Sequence, residues 1–476
     1  MRPGMLDDKT VAALESLNEI FKNKYELFLV GGCVRDMYMN TIPHDFDFAT
    51  NATPDEMEQL ATANGISASY VGRRFGTVVF HIQGHDFEIT TYRTEGDYRD
   101  GRRPSILTFA DNLLDDLSRR DLTINAMALQ LSLFLTLVDS SDYIIDPYDG
   151  KEDIRLKVIR SVGSPVSRIK EDGLRILRAI RFAVKFSFQI ESTLLNAIYE
   201  NIDMLDNVAM ERKRSEFSQI LVYWNRQPYE PFGLHSKEFA YYYRIICFIV
   251  KVIIPEMQEL STFVHNNPYH LYDIFTHSML VCYNCTGDSE TILAALLHDI
   301  GKMKCVTKDE KLFTNHFYGH AAESETLART ILMRMKYSSK EISEITQLIK
   351  YHDVRITPTY AATKRLLNKL GELQLHRLLY LKTADAFQHI GMDMTTLRNT
   401  YSIVEEFCRK IIEQQEAFSL ADLAINGTDL MNLGIPEGPM IGRTLDDILE
   451  VVMSNDVENT RESIIRYLVI RGIPKE

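Results

Sequence analysis

The chain has 476 residues, of which 45% are hydrophobic and 25% are charged, and its formal net charge at neutral pH is −13. This length predicts about three or four domains, and the composition is typical of a soluble globular protein. The acidic balance excludes a protein that coats nucleic acid non-specifically, because neutralising phosphates requires clustered lysine and arginine. Any RNA site must therefore be local.

The cysteines and the apolar runs indicate a cytoplasmic protein. Six cysteines are scattered along the chain, which does not fit a disulfide framework in a protein of this size. The most apolar run, Tyr241 to Pro255, is interrupted by charged residues and is too short to span a bilayer. We interpret Cys282 and Cys285, a CxxC pair among apolar neighbours, as buried helix residues rather than as half of a zinc site.

Up to about residue 150 the sequence alternates short apolar runs with turns, which predicts an α/β domain. A helix start is predicted at Thr53–Glu56, where threonine precedes proline and two acidic residues. Five segments have the pattern of strands: LFLVGG, DFDFAT, GTVVFHI, HDFEITTY and LFLTLVD.

Beyond Lys151 the strand signals thin out and the periodicity becomes helical, for instance in EDGLRILRAIRFAVKF. Loop residues near Asn266–Pro268 and Gly391 suggest boundaries. We therefore divide the chain into a head (1–150), a helical neck and body (151–265), a third domain (266–390) and a helical tail (391–476). Residues 151–185 contain ten basic and four acidic side chains, which makes them the best candidate for a phosphate-binding surface.

The first candidate site is a pair of aspartates, Asp45 and Asp47, in the segment HDFDFAT. On a strand both would project to one face, while Phe46 and Phe48 would anchor the other face in the core. Neighbouring carboxylates can hold a divalent ion, which phosphoryl- and nucleotidyl-transfer reactions use to neutralise triphosphate charge. A solvated edge strand is the alternative, and a lone DxD would favour it.

Two further features accompany the aspartates. The segment FLVGGCVRDMY places two glycines between a strand and a helix start, where backbone N–H groups and Arg35 can approach phosphate. Glu88, in HDFEITTY, lies on another predicted strand. It either completes a carboxylate triad or is an ordinary surface residue.

Five motifs follow one another along the chain: GGCVRD, HDFDFAT, RRDLTINAMA, DPYDG and EDGLRILRAIRFA. This series resembles the bacterial CCA-adding and poly(A) polymerase family of the polymerase-β-like nucleotidyltransferases, and the match extends through ERKRSEF to Phe217. The resemblance implies an α+β fold with a mixed-sheet head and an all-helical neck, body and tail. It also implies template-independent addition of CMP and AMP to a tRNA 3′ end. The expected partners are tRNA, CTP and ATP, with no DNA and no membrane.

Carried over to this sequence, the resemblance makes Asp45 and Asp47 ligands of Mg²⁺ and makes Asn125 a structural support. Glu88 remains the candidate third catalytic carboxylate. The implied contacts to triphosphate and nucleotide are Gly32, Arg35, Arg120 and Asp121. One departure is Gly173, where the family usually has proline, and this is expected to loosen the helix start.

Base choice is expected to depend on one face of a helix that carries Asp172 and Arg175, with Arg178 and Arg181 continuing the row. A surface ion-pair helix is the alternative. Against it, the opposite face is apolar and the arginines would repel one another, so we expect them to be free to meet a ligand. Cytosine and adenine each offer an amino donor beside an unprotonated ring nitrogen. A carboxylate accepts and a guanidinium donates, so Asp172 and Arg175 match both bases and mismatch uracil and guanine.

The segment TEGDYRDGRRPS, Thr94 to Ser105, has the composition of a mobile loop. In the family the corresponding loop helps the base pocket change from C to A, which favours full CCA addition over C-only addition. A solvated connector is the alternative interpretation. A-adding enzymes and poly(A) polymerases remain alternative functions.

A second candidate site lies in the third domain. His277, His298 with Asp299, and Asp385 recur among helical segments, and this series resembles an HD phosphohydrolase domain. Such residues on facing helices would bind a divalent metal whose bound water is the nucleophile.

Five further histidines of this domain were considered as ligands. His320 and His352 suit a second metal or are ordinary helix residues, whereas His270, His316 and His389 are interpreted as non-ligands. The domain suggests a rival function, a metal-dependent phosphohydrolase acting on 2′,3′-cyclic phosphates or damaged RNA ends. A catalytically silent RNA-binding protein is the third interpretation.

Overall fold

The computed structural model describes residue 4 and residues 6–95, 107–110, 112–225, 236–263, 272–309 and 314–473. The chain forms two compact units, Met1–Tyr223 and Trp224–Glu476. Most of the expected mobile loop, residues 96–105, and His270 lie outside the described residues. Across the described ranges, none of the helices combines the length and apolar content needed to cross a bilayer.

The first unit is built on a mixed six-stranded sheet with strand order β3-β4-β5-β2-β1-β8, in which β2 and β5 are parallel and the other neighbours are antiparallel. This confirms the mixed sheet expected for the head. The strands of the unit are β1 (Leu27–Val30), β2 (Asp47–Thr50), β3 (Ser67–Ser69), β4 (Thr77–Ile82), β5 (His85–Thr91), β6 (Arg93–Glu95), β7 (Leu107–Phe109), β8 (Ala128–Gln130), β9 (Val158–Ile159) and β10 (Gln189–Ile190).

Ten helices accompany these strands in the described part of the first unit. They are α1 (Asp8–Phe21), α2 (Gly32–Tyr38), α3 (Pro54–Ala63), α4 (Leu113–Ser118), α5 (Leu131–Thr136), α6 (Gly150–Leu156), α7 (Pro165–Glu171), α8 (Leu174–Phe186), α9 (Ser192–Glu200) and α10 (Met210–Asn225). The predicted start of α3 is confirmed, since Thr53 and Glu56 form a capping box around Pro54.

The sheet follows from alternation in the sequence. In β4 and β5 every second residue is buried, including Phe80 and Phe87, and these side chains form the core with apolar residues of α1 and α3. The other face of the sheet carries a smaller apolar cluster that includes Phe28 and Ala49, and it is polar at Asp47 and Glu88. Four of the five predicted strands, those in LFLVGG, DFDFAT, GTVVFHI and HDFEITTY, are confirmed as β1, β2, β4 and β5.

The strand predicted at LFLTLVD is wrong, because these residues begin within helix α5. Leu131 and Phe134 are both buried at a spacing of three, as on one face of a helix. A short continuous apolar run does not distinguish a buried strand from a buried helix by periodicity. The sheet strand at this place is β8, immediately before the run.

The single helix predicted across EDGLRILRAIRFAVKF is also wrong. Helix α7 ends at Glu171 and α8 begins at Leu174, with Asp172 in an extended conformation between them (φ −148°, ψ 108°). Close packing constrains the break, since a Cβ on Gly173 would lie 2.3 Å from the carbonyl oxygen of Met204. Glycine is therefore required here by lack of space.

We predict that Gly173→Ala destabilises the first unit by about 1–3 kcal/mol, because the added methyl group forces backbone to move. Thermal unfolding followed by circular dichroism measures this as a lower midpoint. Gly442→Ala is the control, since a Cβ there, in the first turn of α21, meets nothing within 4 Å, and the substitution removes a flexible glycine from a helix. Equal midpoints for Gly173→Ala and the unsubstituted protein would contradict the prediction.

The described part of the second unit is helical apart from one antiparallel hairpin of β11 (Thr307–Asp309) and β12 (Thr314–His316). Its helices are α11 (Lys237–Ile253), α12 (Glu256–Leu260), α13 (Ile274–Asn284), α14 (Ser289–Leu297), α15 (His320–Arg334), α16 (Ser339–Tyr351), α17 (Tyr360–Leu370), α18 (Glu372–Ala386), α19 (Met394–Glu413), α20 (Gly427–Asn432), α21 (Pro439–Met453) and α22 (Arg461–Ile470).

Helix α14 lies at the centre of the first helices of this unit, packed against α13, α16 and α18. All nine of its residues except the first two are buried, which explains the apolar run before His298. Cys282 and Cys285 are both buried, the first within α13 and the second immediately after it. Towards the C-terminus, α20, α21 and α22 share a separate apolar cluster.

Candidate functional site

Two acidic residues lie side by side on the face of the head sheet opposite the main core. Strands β2 and β5 pair in parallel with Asp47 opposite Glu88, so the two side chains project from the same face about 4.8 Å apart along the hydrogen-bonding direction. The next residues, Phe48 and Ile89, point into the core and are buried. Asp45 precedes β2, and its side chain is 87% exposed. The structure thus brings Glu88 to Asp47, as the carboxylate-triad hypothesis requires.

These carboxylates place like charges close together on one face. Reduced hydration raises the pKa of Asp47, and the charge of Asp45 raises it further, although Arg120 opposes both effects. Partial burial also raises the pKa of Glu88, and the charge of Asp47 adds to this increase. A divalent cation would relieve this repulsion, and carboxylate oxygens are suitable ligands for Mg²⁺.

The glycine pair forms the tight connection between β1 and α2. Gly31 has φ +75°, a backbone conformation that favours glycine. A Cβ there would lie 2.7 Å from Nη1 of Arg120, so the guanidinium lies directly against the turn. Gly32 begins α2, and a Cβ there would lie 3.4 Å from Nη2 of Arg35. The turn therefore lies against two guanidinium groups, which were predicted to contact nucleotide phosphates.

Arg35 is more enclosed than the sequence indicates. Only 4% of the residue is exposed, and its Nε donates to Asp36 at 2.8 Å. Its guanidinium also donates to Asn125 and lies over the rings of Phe182 and Phe186, 5.1 and 4.8 Å from their centroids. These contacts fix Arg35 beside the glycine turn, and its contact with triphosphate stays a prediction.

Asp121 is held in the ionised form by an arginine of helix α8. Its Oδ2 accepts from Nε of Arg178 at 2.6 Å, and its Oδ1 accepts from Asn125 at 3.2 Å. Burial alone would raise the pKa of Asp121, but the charge of Arg178 and its hydrogen bond lower it to about 2. Asn125 thus connects Asp121 with Arg35, as a supporting residue would.

The expected base-reading pair does not lie on one helix. Asp172 stands in the break before α8, where its carboxylate accepts from the backbone N–H of Leu174 at 3.0 Å and from Arg212 at 2.7 Å. Arg175 lies on α8 and donates to the backbone carbonyl of Arg119 at 3.0 Å. The two side chains are therefore held by different contacts. Asp172 is held by the first residue of α8 and by Arg212, and Arg175 is held by the backbone carbonyl of Arg119.

The expectation that the arginine row is free to meet a ligand is wrong. Arg178 pairs with Asp121 at 2.6 Å, and Arg181 pairs with Glu216 at 2.6 Å. Arg175 pairs with Glu171. Each positive charge is therefore balanced by a carboxylate, and two of the three partners come from segments far away in sequence.

Arg212 and Glu216 were not predicted as site residues. Both lie on α10, four residues apart and thus on one face, and they hold Asp172 and Arg181 respectively. The segment ERKRSEF, which contains both residues, belongs to the family resemblance. Their partners depend on tertiary packing, which spacing along the chain does not reveal.

The second candidate site is a buried histidine and aspartate cluster in the second unit. Two groups of potential ligands share Asp299, and within each group the ligand atoms lie within 4.8 Å of one another: His277, His298 and Asp299, and Asp299, His320 and His352. Asp385 joins the first group, with its Oδ1 3.1 Å from Nε2 of His277. The predicted ligands therefore come together, and so do the two histidines left open for a second metal.

Five helices supply these side chains. His277 lies in α13 and Asp385 in α18, whereas His298 and His352 follow the last residues of α14 and α16, and His320 begins α15. His389, interpreted from the sequence as a non-ligand, lies 3.4 Å from Asp385 Oδ1. It forms a third group of potential ligands with His277 and Asp385.

The backbone orients three of the histidines. Nδ1 of His298, His320 and His352 lies 2.8, 2.8 and 2.6 Å from the carbonyl oxygen three residues earlier. A protonated Nδ1 donates to that oxygen and leaves the Nε2 lone pair directed into the cluster. This is the arrangement that imidazole metal ligands adopt.

Charges within the cluster are strongly coupled. Burial would raise the pKa of Asp299, but the charges of His298 and Lys302 hold it well below its usual range. Burial would lower the pKa of His298, whereas Asp299 and Asp385 raise it to about 10. The carboxylates therefore favour a positive charge at this place, and a metal ion would replace the proton.

Comparisons with known proteins agree with the two-part organisation. Residues 27–160 match the Poly A polymerase head domain family, and residues 306–468 match the family described as tRNA nucleotidyltransferase domain 2. The second match overlaps the segment expected to be an HD domain, and that domain stays a prediction.

Relatives match the chain along nearly its full length. The CCA-adding enzyme of Enterococcus faecalis is 42% identical over 456 residues, 95% of this chain and 93% of that protein. The CCA-adding enzyme of Lactobacillus johnsonii is 41% identical over 469 residues, 98% of this chain and 99% of that protein.

Solved structures share the fold. The Bacillus stearothermophilus CCA-adding enzyme in complex with CTP has a TM-score of 0.63 and 22% identity, covering 99% of this chain and 98% of that one. The Thermotoga maritima CCA-adding enzyme complexed with tRNA_CCA has a TM-score of 0.56 and 18% identity, covering 98% and 97%. With relatives above 40% identity over almost the whole sequence and a matching head domain, this chain belongs to the CCA-adding enzyme family of tRNA nucleotidyltransferases.

Proposed function

We propose that the first unit adds CMP, CMP and AMP from CTP and ATP to tRNA 3′ ends without a nucleic-acid template. The observation that carries this proposal is the carboxylate face formed by Asp47 opposite Glu88, together with the glycine turn at Gly31 against which Arg120 lies. Nucleotidyl transfer needs both parts, because one holds cations and the other receives phosphate.

Asp45, Asp47 and Glu88 would hold Mg²⁺ in the head. Their donor set fits a hard cation, since all three offer carboxylate oxygens. Burial raises the pKa of Asp47 and of Glu88, and the charge of Asp47 raises that of Glu88 further. Bound there, Mg²⁺ would neutralise triphosphate charge and assist attack by the RNA 3′ hydroxyl. The guanidinium of Arg120 lies against the glycine turn and would bind the phosphates there.

Asp172 and Arg175 would read the base. A carboxylate has about four lone-pair positions. Asp172 can therefore accept a hydrogen bond from the amino group of cytosine or adenine while it keeps the hydrogen bonds from Leu174 and Arg212. Arg175 offers five N–H donors and would give one to the unprotonated ring nitrogen. Uracil and guanine would place acceptor against acceptor and donor against donor, which disfavours both.

The function is tested with tRNAs ending before CCA, after C and after CC, each incubated with one labelled nucleotide. We expect CTP to be used on the first two substrates and ATP on the third, with little use of UTP or GTP. Addition of AMP alone to the CC end would identify an A-adding enzyme. Long A tails on every substrate would identify a poly(A) polymerase, and either result would contradict the proposal.

A second activity, metal-dependent phosphohydrolysis, is favoured by the cluster around Asp299. Mixed imidazole and carboxylate donors suit divalent transition ions as well as Mg²⁺, and Asp299 lies between two ligand groups that could each hold an ion. A bound metal would supply an activated water for attack on a phosphate ester. Lys302, 2.7 Å from Asp299 Oδ2, would balance the charge. Suitable substrates are 2′,3′-cyclic phosphates and phosphomonoesters at RNA ends.

We predict that His298→Ala lowers hydrolysis of 2′,3′-cyclic nucleotides by about 100-fold or more, because losing one ligand removes several kcal/mol of metal-assisted stabilisation. Addition of CMP should change by less than about twofold, since the carboxylate face lies in the other unit. Hydrolysis is measured with Mg²⁺, Mn²⁺ and Ni²⁺ supplied separately. His316→Ala is the control, because His316 lies on β12 and belongs to none of the ligand groups in the described residues.

Two results would contradict this second activity. One is an unsubstituted protein that hydrolyses none of these substrates with any of the three metals. The other is a folded His298→Ala protein that loses hydrolysis and CMP addition together, which would indicate one shared centre.

A further inference from the structure

A second set of potential metal ligands lies between α18 and α19, with donors different from those around Asp299. Glu372 and His376 are four residues apart on α18, and Glu405 and Cys408 are three apart on α19, so each pair shares one face of its helix. The two helices pack against each other. The ligand atoms of Glu372, His376 and Cys408 lie within 4.8 Å of one another, and Nδ1 of His376 is 3.8 Å from Oε1 of Glu405.

We infer that this set is a zinc site that joins α18 to α19. Thiolate, imidazole and carboxylate are all zinc ligands, and a tetrahedral ion holds them at about 2.0–2.3 Å. Ligand atoms already within 4.8 Å of one another can close on one ion by small rotations of the glutamate and histidine side chains. The thiolate makes the site selective, since Mg²⁺ and Ca²⁺ prefer oxygen ligands.

The surroundings favour a cation that can enter from solvent. Cys408 is buried, with 1% of the residue exposed, whereas 34% of the His376 side chain and 41% of the Glu405 side chain are exposed. The sulfur therefore forms the inner end of the site and the other ligands its solvent side. Glu372 and Glu405 add negative charge next to the thiol, and a zinc ion would balance it. Binding converts the thiol to a thiolate and releases its proton to solvent.

The position of the site gives it a structural consequence. Glu372 and His376 lie near the N-terminal end of α18, and Asp385 of the other cluster lies near its C-terminal end. Zinc between α18 and α19 would stabilise the helix that carries Asp385 without contacting that residue. We therefore expect zinc to stabilise the second unit and to have no direct role in nucleotide addition.

The experiment is a Co²⁺ titration of the full chain followed by absorption. Only cysteine ligation gives thiolate-to-cobalt charge-transfer absorption in the near ultraviolet, and the cluster around Asp299 includes no sulfur ligand among the described residues. We expect the band to appear with one equivalent of Co²⁺, to disappear on addition of Zn²⁺, and to be lost in Cys408→Ser and His376→Ala. The double variant Cys282→Ser with Cys285→Ser is the matched control and should keep the band.

Folding is checked separately, because a buried cysteine also packs against its neighbours. Cys408→Ser and the unsubstituted protein are compared by thermal unfolding with chelator and with Zn²⁺. We expect Zn²⁺ to raise the midpoint of the unsubstituted protein by more than that of the folded Cys408→Ser variant. Absence of the band, its persistence in Cys408→Ser, or an equal effect of Zn²⁺ on both midpoints would overturn the inference.

Discussion

Changing Asp47 to asparagine is expected to lower incorporation of both CMP and AMP by about 10³-fold or more. A neutral amide would replace a carboxylate that we propose binds the catalytic cation, with the loss of several kcal/mol of stabilisation. The fold should be unaffected, since Asp47 is exposed on the face of the sheet opposite Phe48, which fills the main core. Single-turnover assays on tRNA ending before CCA measure the CMP step, and tRNA ending in CC measures the AMP step.

Asp86→Asn is the matched control for Asp47→Asn. Asp86 lies on β5 two residues before Glu88, so it projects from the same face of the same sheet. Its Oδ1 lies 2.6 Å from His81, away from the strand that carries Asp47. The Asp86→Asn control should keep most of its transfer activity. The activity of Glu88→Gln should lie between those of Asp86→Asn and Asp47→Asn. Near-normal transfer by Asp47→Asn would remove the carboxylate face from the mechanism.

Local patterns predicted the part of the head that holds these carboxylates. Alternating burial in β4 and β5 follows directly from alternating residue type, and parity along the strand places Glu88 on the face of Asp47. The pairing of β2 with β5 was not predictable, because it depends on how the strands assemble. The helix α5 was misjudged since its apolar run has no clear period.

The sequence was less informative about charge partners. Arg178 and Arg181 were recognised as a row, but the carboxylates that neutralise them are 57 and 35 residues away. Helix periodicity relates residues three or four apart and says nothing about such pairs. The break at Asp172 was missed for a similar reason, since the contact between Gly173 and Met204 is tertiary.

The two clusters of potential metal ligands differ in how far the sequence indicates them. His298 and Asp299 are adjacent and end an apolar helix, so a local motif marked that place. The sequence interpretation of His389 as a non-ligand overlooks its position four residues after Asp385, which brings its Nε2 to 3.4 Å from Oδ1 of Asp385. The pair His376 and Cys408 has no local motif, because its ligands come together only through the packing of α18 on α19.

Changing Asp172 to asparagine is expected to reduce the preference for CTP and ATP over UTP and GTP by about 10- to 100-fold, equivalent to roughly 1–3 kcal/mol for one mismatched hydrogen bond. An amide presents a donor where the carboxylate presents only acceptors, so it opposes the amino groups of cytosine and adenine and suits the carbonyls of uracil and guanine. The amide oxygen can still accept from the N–H of Leu174, which preserves the start of α8.

The ratio of kcat/KM values for all four nucleotides decides between two roles of Asp172. If it reads the base, Asp172→Asn changes the ratios while dissociation constants for triphosphate change little, because the phosphates are expected to contact Arg120 and the glycine turn. If it only fixes the break before α8 through Arg212, every nucleotide is used more slowly and the ratios stay as they were, which would refute base reading. Asp206→Asn, the same substitution at an exposed residue of the same unit, should leave both ratios and rates unchanged.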